Sequence, residues 1–222
     1  MEGNPLVPDI VLQLGPVQIS RAVVTTWAIM LALAAFLLIA LRRPKVEAGP
    51  MQAFLEVIVD TIERQLKDVL ARDPGPFLPL LGSLFIFLVL ANLAAVFPGA
   101  APPTGHIETP AALAAIVFLS VHFYGVRSRG LGRYLRHYLQ PNPFLLPLNV
   151  LSELTRTFSL MIRLFGNMMS HEFVIAIVVF LAGLFLPVPF MLLGILIGII
   201  QAYIFTILAT VYVAAAVGAV EA

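Results

Sequence analysis

The chain has 222 residues, of which 60% are hydrophobic and 11% charged, with a formal net charge of +1. Soluble proteins carry roughly 25% charged residues, so these proportions exclude a water-soluble globule and place the chain in a lipid bilayer. The near-zero charge excludes nucleic acid as a partner, and the lack of cysteine excludes disulfides, thiolate catalysis and cysteine-held metals.

A membrane-crossing helix needs about 20 mainly apolar residues. The first such run is Ala22 to Leu41, closed by Arg42, Arg43 and Lys45. Its positive charge follows the apolar stretch, the reverse of a cleaved signal peptide. Met51 to Arg72 is different. Met51, Phe54, Leu55, Ile58, Ile62, Leu66 and Val69 recur at helical spacing, with Glu56, Asp60, Glu63, Arg64 and Lys67 between them. Asp60/Arg64 and Glu63/Lys67 stand at i,i+4. The pattern predicts an amphipathic helix at the membrane surface; a soluble helix-packing face is the alternative.

Phe77 to Phe97 reads as a second span, ended by Pro98-Gly99. Pro110 to about Val126 reads as a third, shorter and interrupted by His122. Arg127, Arg129, Arg133 and Arg136 follow, with no acid among them. The positive-inside rule assigns this loop, and Arg42, Arg43 and Lys45, to the cytoplasm. The N-terminus is then outside and the C-terminus cytoplasmic.

From about Leu146 to Leu186 the chain reads as one helix, Pro187-Val188-Pro189 as a turn, and Phe190 to about Val220 as a second helix. No charged residue occurs between Phe173 and Val220. At 1.5 Å per residue the two helices are about 60 Å and about 45 Å long, against a hydrocarbon core of about 30 Å. They must tilt beyond the usual ~20°. The expected fold is all-α. It is a single membrane domain over 1–222, with about five inserted helices and one interfacial helix. The parts are an N-terminal segment with the first span (1–45), the interfacial helix (51–72), a helical hairpin (77–126) and the tilted pair (146–220).

Arg163 lies deep inside the penultimate helix. An arginine at the bilayer centre costs roughly 2.5–3.5 kcal/mol on the insertion scale, and its guanidinium cannot shed a proton to avoid it. It needs an anionic partner and a polar surround. Ser152, Arg156, Ser159, Arg163, Asn167 and Ser170 step by three, four or seven residues and form one polar stripe. Phe158, Ile162, Phe165 and Met169 form an apolar one. Glu172 stands about 13–14 Å beyond Arg163 along the helix, with His171 beside it. Glu153 lies a similar distance on the other side. On the last helix Gly194 and Gly198 read as a small-xxx-small ridge for close helix contact. Gln201, an amide in an apolar helix, needs a partner, and the polar stripe supplies one. An ion pair between Arg163 and another segment, such as Glu108, is one reading. A carboxylate arriving from another subunit is the other.

Other chemistry is missing. The chain has no Gly-rich phosphate loop and no Gly-Lys pair, which argues against nucleotide binding. His171-Glu172 lacks the second histidine of a zincin, position 175 being Ile175. His106, His122, His137 and His171 have no metal-ligand spacing. His122 reads as a packing or interfacial residue. No cofactor, no metal and no catalysis by the chain alone are expected.

The run Ser159-Leu160-Met161-Ile162-Arg163-Leu164-Phe165-Gly166-Asn167-Met168 closely resembles subunit a of the rotary F-type ATP synthases. Asn92 with Pro98-Gly99, Ser120 to Gly125, Pro147-Leu148-Asn149 and Gln201 to Phe205 extend the resemblance from the second span to the C-terminus. It implies a stationary membrane subunit beside a rotating ring of c subunits, with peripheral-stalk b subunits and lipid as further partners. Arg163 then matches the essential arginine between two half-channels. Asn167 and Gln201 match polar residues near it. Glu172, and more weakly Asn92, match the half-channel on the outer side, and His171 with Gly194 resembles one form of a histidine–small-residue exchange between the long helices. Ser152 and Glu153 are candidates for the cytoplasmic half-channel, and Ser159 for the ion path. Thr157 stands where many members have proline, and His106 where several have aspartate. The basic loops and the lack of an organelle address suit a bacterial inner membrane, and the sequence leaves H⁺ against Na⁺ open. From the residues alone, a lone transporter binding an anionic substrate at Arg163 fits the same stripe. A structural anchor would leave Arg163 without a purpose.

Overall fold

A computed structural model describes residues 10–14, 17–40, 49–96, 102–134, 144, 146–183 and 186–218. Arg42, Arg43, Lys45, Pro98, Gly99, Arg136 and His137 lie outside the described residues.

The described chain is helical apart from a short hairpin. Strand β1 (Ile10–Leu14) pairs antiparallel with β2 (Val17–Ser20), Leu14 facing Val17 and Gln13 facing Gln18. The all-helical expectation misses this hairpin. Its signal is the two-residue alternation of Ile10, Leu12 and Leu14 and then Val17 and Ile19 around the pair Gly15-Pro16.

Helix α1 (Arg21–Ala40) is apolar on all sides and almost unburied, as a helix facing lipid must be. Helix α2 (Pro50–Leu70) is amphipathic and buries Ile62, Leu66 and Leu70 while Met51 and Phe54 stay exposed. Asp60 and Arg64 pair at 2.6 Å, whereas Glu63 and Lys67 form no ion pair among the described residues.

Helix α3 (Leu78–Leu93) is shorter than the expected span and tightens into a 3-10 turn, Ala94–Val96. In the sequence Pro98 follows four residues after Ala94 and has no N–H to bond its carbonyl, which disfavours an α-helical turn at Ala94–Val96. Helix α4 (Glu108–Arg129) is longer than expected at both ends. Pro110 falls in its first turn, where the missing N–H has no intrahelical partner anyway. Glu108 in the first turn and Arg127 and Arg129 in the last complement the helix dipole.

Helix α5 (Leu146–Ala182) runs unbroken for 37 residues, through Thr157, and α6 (Pro187–Val217) for 31. Gly183, with φ +72°, follows α5. Pro187 and Pro189 do not make the expected turn; they form the first turn of α6, where proline is pre-organised. At about 55 Å and about 46 Å both helices exceed the bilayer core of about 30 Å. Among the described residues, four helices (α1, α4, α5, α6) are long and apolar enough to cross a membrane, and α3 is a shorter apolar one.

Helix α6 is central and contacts α2, α3, α4 and α5. Its buried positions Gly198, Gln201, Ala202, Phe205, Ala209, Val213 and Ala214 step by one, three or four residues along one face. Lipid is as apolar as leucine, so helix association in a membrane relies on close contact through small residues. Ala91, Ala114, Ala202, Ala209 and Ala214 supply it here. By contrast, α5 is held through Leu160, Leu164 and Met168 alone among its fully buried side chains.

The contacts also order the two ends. Ser20 donates a hydrogen bond of 2.5 Å to Glu108 Oε2, joining the start of α1 to the start of α4. At the opposite, basic end the Arg129 guanidinium lies against the end of α6, where Gly218 is left-handed (φ +77°). A Cβ at Gly218 would meet Arg129 Nη2 at 2.3 Å, so glycine serves both the backbone and the arginine.

Candidate functional site

The narrow attachment of α5 leaves its whole polar stripe outward. Ser152, Arg156, Ser159, Arg163, Asn167 and Ser170 are all exposed. Arg163 forms no ion pair and no hydrogen bond through its side chain among the described residues. Glu108, the in-chain acid considered for it, is engaged by Ser20 instead. A guanidinium facing outward at this depth needs a polar, anionic neighbour, because lipid cannot solvate it.

One turn from Arg163, Asn167 donates through Nδ2 to Gln201 Oε1 at 2.5 Å. Gln201 is almost wholly buried, and its Nε2 has no hydrogen-bond partner among the described residues. Gln201 therefore meets the polar stripe, as its sequence context requires, and retains one unsatisfied donor beside it.

Toward the end of α5 near Glu108, three polar side chains occupy space left by three glycines. His171 Nε2 donates to the Phe190 carbonyl at 3.1 Å, and a Cβ at Gly194 would lie 2.0 Å from that nitrogen. Asn92 donates through Nδ2 to the Gly198 carbonyl at 2.8 Å, and a Cβ at Gly198 would lie 2.9 Å from Asn92 Cβ. The half-buried Glu172 carboxylate lies over Gly105, where a Cβ would be 2.7 Å from Oε1. Thr104, fully buried in the turn Pro103–Gly105, donates to Asn92 Oδ1 at 2.9 Å. Gly194 and Gly198 are thus not a bare helix-contact ridge. They make room for polar groups beside the helix, a role that their spacing alone does not distinguish.

Toward the basic end a cavity of about 360 Å³ opens beside Ser152 and Glu153. Asn149, Arg156, Thr157, Tyr134 and Tyr212 also line it. Arg156 lies over the Tyr212 ring at 5.6 Å, a cation–π arrangement. His122 Nε2 stands 3.9 Å from Glu153 Oε1. Sequence reasoning missed Thr104, Tyr134, Tyr212 and the nearness of His122 to Glu153. A histidine within an apolar helix was the available signal for the last; its partner is on another helix, 31 residues on.

Nine residues separate Arg163 from Glu172 and ten separate it from Glu153, about 14 Å and about 15 Å along the helix. Ser159 stands between Arg163 and the cavity, on the same outward face. A permanent cation thus sits midway between two polar pockets at opposite ends of one helix. Among the described residues, no group of three or more His, Cys, Asp or Glu side chains is placed to hold a metal.

Fold and site together define a polytopic helical membrane protein with an intramembrane cation on its lateral surface. Residues 23–214 match the family model described as ATP synthase A chain, and the chain belongs to that family. It is 57% identical to a Bradyrhizobium protein named ATP synthase subunit a 2, over 99% of each chain. It is 49% identical to ATP synthase subunit a of Nitrosospira multiformis, over 91% of this chain and 81% of the relative. With ATP synthase subunit a 2 of Pelobacter propionicus the identity is 44%, over 94% and 92%.

Proposed function

We propose that the chain is the stationary ion-conducting subunit of a rotary ATP synthase, working in a bacterial inner membrane against a ring of c subunits and held by b subunits. The observation that carries this reading is the outward Arg163, without an acidic partner among the described residues, midway between two polar pockets. Its counter-ion is then a carboxylate of the ring, supplied by each c subunit in turn.

The physical roles follow from charge. The Arg163 field favours the ionised form of an approaching carboxylate, and as a fixed cation it opposes direct passage of another cation between the pockets. An ion reaching the Glu172 pocket from outside must therefore board a ring carboxylate. It leaves only after the ring has turned to the Glu153 pocket on the cytoplasmic side. Asn167 and Gln201 hold α5 to α6 beside the arginine and keep its position fixed relative to the ring. The N-terminus is outside and the C-terminus cytoplasmic, as the basic residues at the end of α4 require. A lone transporter lacks support, since the relatives bear names of ATP synthase subunits.

Arg163→Ala tests the proposal. Ion-driven ATP synthesis by the assembled complex is expected to vanish, while c subunits still co-purify with the chain. Synthesis near the normal rate in an assembled variant contradicts it.

A further inference from the structure

Beside the cavity at the basic end, 3.9 Å from its lining residue Glu153, stands a histidine to which the half-channel reading gives no task. We propose that His122 is a proton-relay residue of that cavity, exchanging protons with Glu153. The inference rests on the reading of the cavity as the cytoplasmic half-channel.

Three contacts fix the imidazole. Nδ1 lies 2.8 Å from the Phe118 carbonyl, which can only accept, so Nδ1 carries a proton. The ring lies 4.3 Å from the Phe118 ring and 6.0 Å from that of Tyr134. Tyr134 is itself held against Gly125, where a Cβ would lie 2.4 Å from the tyrosine ring. In the neutral imidazole the lone pair is then on Nε2, the atom 3.9 Å from Glu153 Oε1. The hydrogen bond on one nitrogen sets the function of the other. A histidine serving only to fill space has no need of this polarity.

The 3.9 Å separation exceeds hydrogen-bond length, so transfer requires the Glu153 carboxyl to swing toward the ring on its two methylenes. When it does, the Glu153 O–H bond breaks, its electron pair stays on the carboxylate, and an Nε2–H bond forms. The imidazolium then releases that proton from Nε2 to water at its partly exposed edge while Nδ1 keeps its own. The titratable and charged groups facing the pair, among the described residues, are Arg156 on α5, Tyr134 after α4 and Tyr212 on α6. Arg156 is turned toward the Tyr212 ring, and a guanidinium, having no lone pair to take a proton, does not replace His122 as the acceptor.

The test uses the whole complex in inverted membrane vesicles, with ATP-driven proton pumping measured against pH on the side of the basic end. His122→Asn keeps an N–H near the Nδ1 position and removes the titrating nitrogen. Pumping is expected to fall on the order of a hundredfold or more, with its dependence on that side's pH flattened. His122→Gly is expected to fall similarly and to recover with added imidazole; if it fails to assemble, His122→Asn carries the test. A normal rate with an unchanged pH profile in His122→Asn overturns the relay, as does a slowed rate with neither flattening nor imidazole rescue. Glu153→Gln separates the two levels. If it slows pumping while His122→Asn does not, only the relay fails; if neither variant has an effect, the half-channel reading fails with it.

Discussion

The two polar pockets on α5 are built by different means. Around Glu172 the polar groups are wedged into gaps left by Gly105, Gly194 and Gly198 and tied by direct hydrogen bonds through Asn92, Thr104 and His171. Around Glu153 the corresponding groups line an open cavity, with His122 Nε2 3.9 Å from Glu153 Oε1. The first pocket depends on shape, and a single methyl group disturbs it. The second depends on which side chains line a space, and it tolerates small changes of volume. One helix thus carries a tight site and a loose site on either side of one cation.

The largest effect that sharpens this contrast is expected at Gly194. In Gly194→Ala the new methyl sits where His171 Nε2 now lies, so the ring must leave the Phe190 carbonyl. Overpacking of this kind costs about 1–3 kcal/mol, visible as a lower midpoint in thermal denaturation of the purified complex, and synthesis should fall with it. Asn92→Leu comes next. It removes both hydrogen bonds of the amide and leaves the buried Thr104 hydroxyl without its acceptor; a loss of about 1–2 kcal/mol is expected by the same measurement. Smaller in stability is Glu172→Gln, which keeps the shape of the side chain. It should slow ATP synthesis without uncoupling it. A proton leak as large as that of Arg163→Ala, measured in vesicles without ATP, removes Glu172 from the path. Comparable substitutions that add a methyl on the cavity side, such as Ser152→Thr, should leave the denaturation midpoint unchanged. A loss there equal to that of Gly194→Ala would erase the distinction between the pockets.

Much of this was legible in the sequence, for identifiable reasons. Long apolar runs mark α1, α3, α4, α5 and α6, because lipid demands continuous apolarity. The period of Ile58, Ile62 and Leu66 marks the packed side of α2. The stripe from Ser152 to Ser170 is visible because helical periodicity puts those residues on one face. Periodicity cannot say, however, whether the neighbouring Phe158 and Ile162 face the core. In the fold both are exposed, and the core takes Leu160, Leu164 and Met168 instead. Proline misled the reading at one helix end: Pro187, read as part of a turn, opens α6, since only the position within the turn decides. The pairing of His122 with Glu153 and of Thr104 with Asn92 depends on which helices meet, and a single sequence carries no direct sign of that. The β1–β2 hairpin did carry a sign, in its alternation, although a membrane-length window passes over strands so short.

The central claim is that the face bearing Arg163 is covered by a neighbouring subunit. The chain contains no cysteine, so single cysteines report without background. Ser159→Cys and Ser170→Cys, each oxidised in native membranes against a cysteine placed next to the c-subunit carboxylate, should cross-link the two chains. Leu119→Cys, exposed on α4, serves as the off-stripe control and should not. Efficient cross-linking from position 119 with none from 159 or 170 would contradict the account.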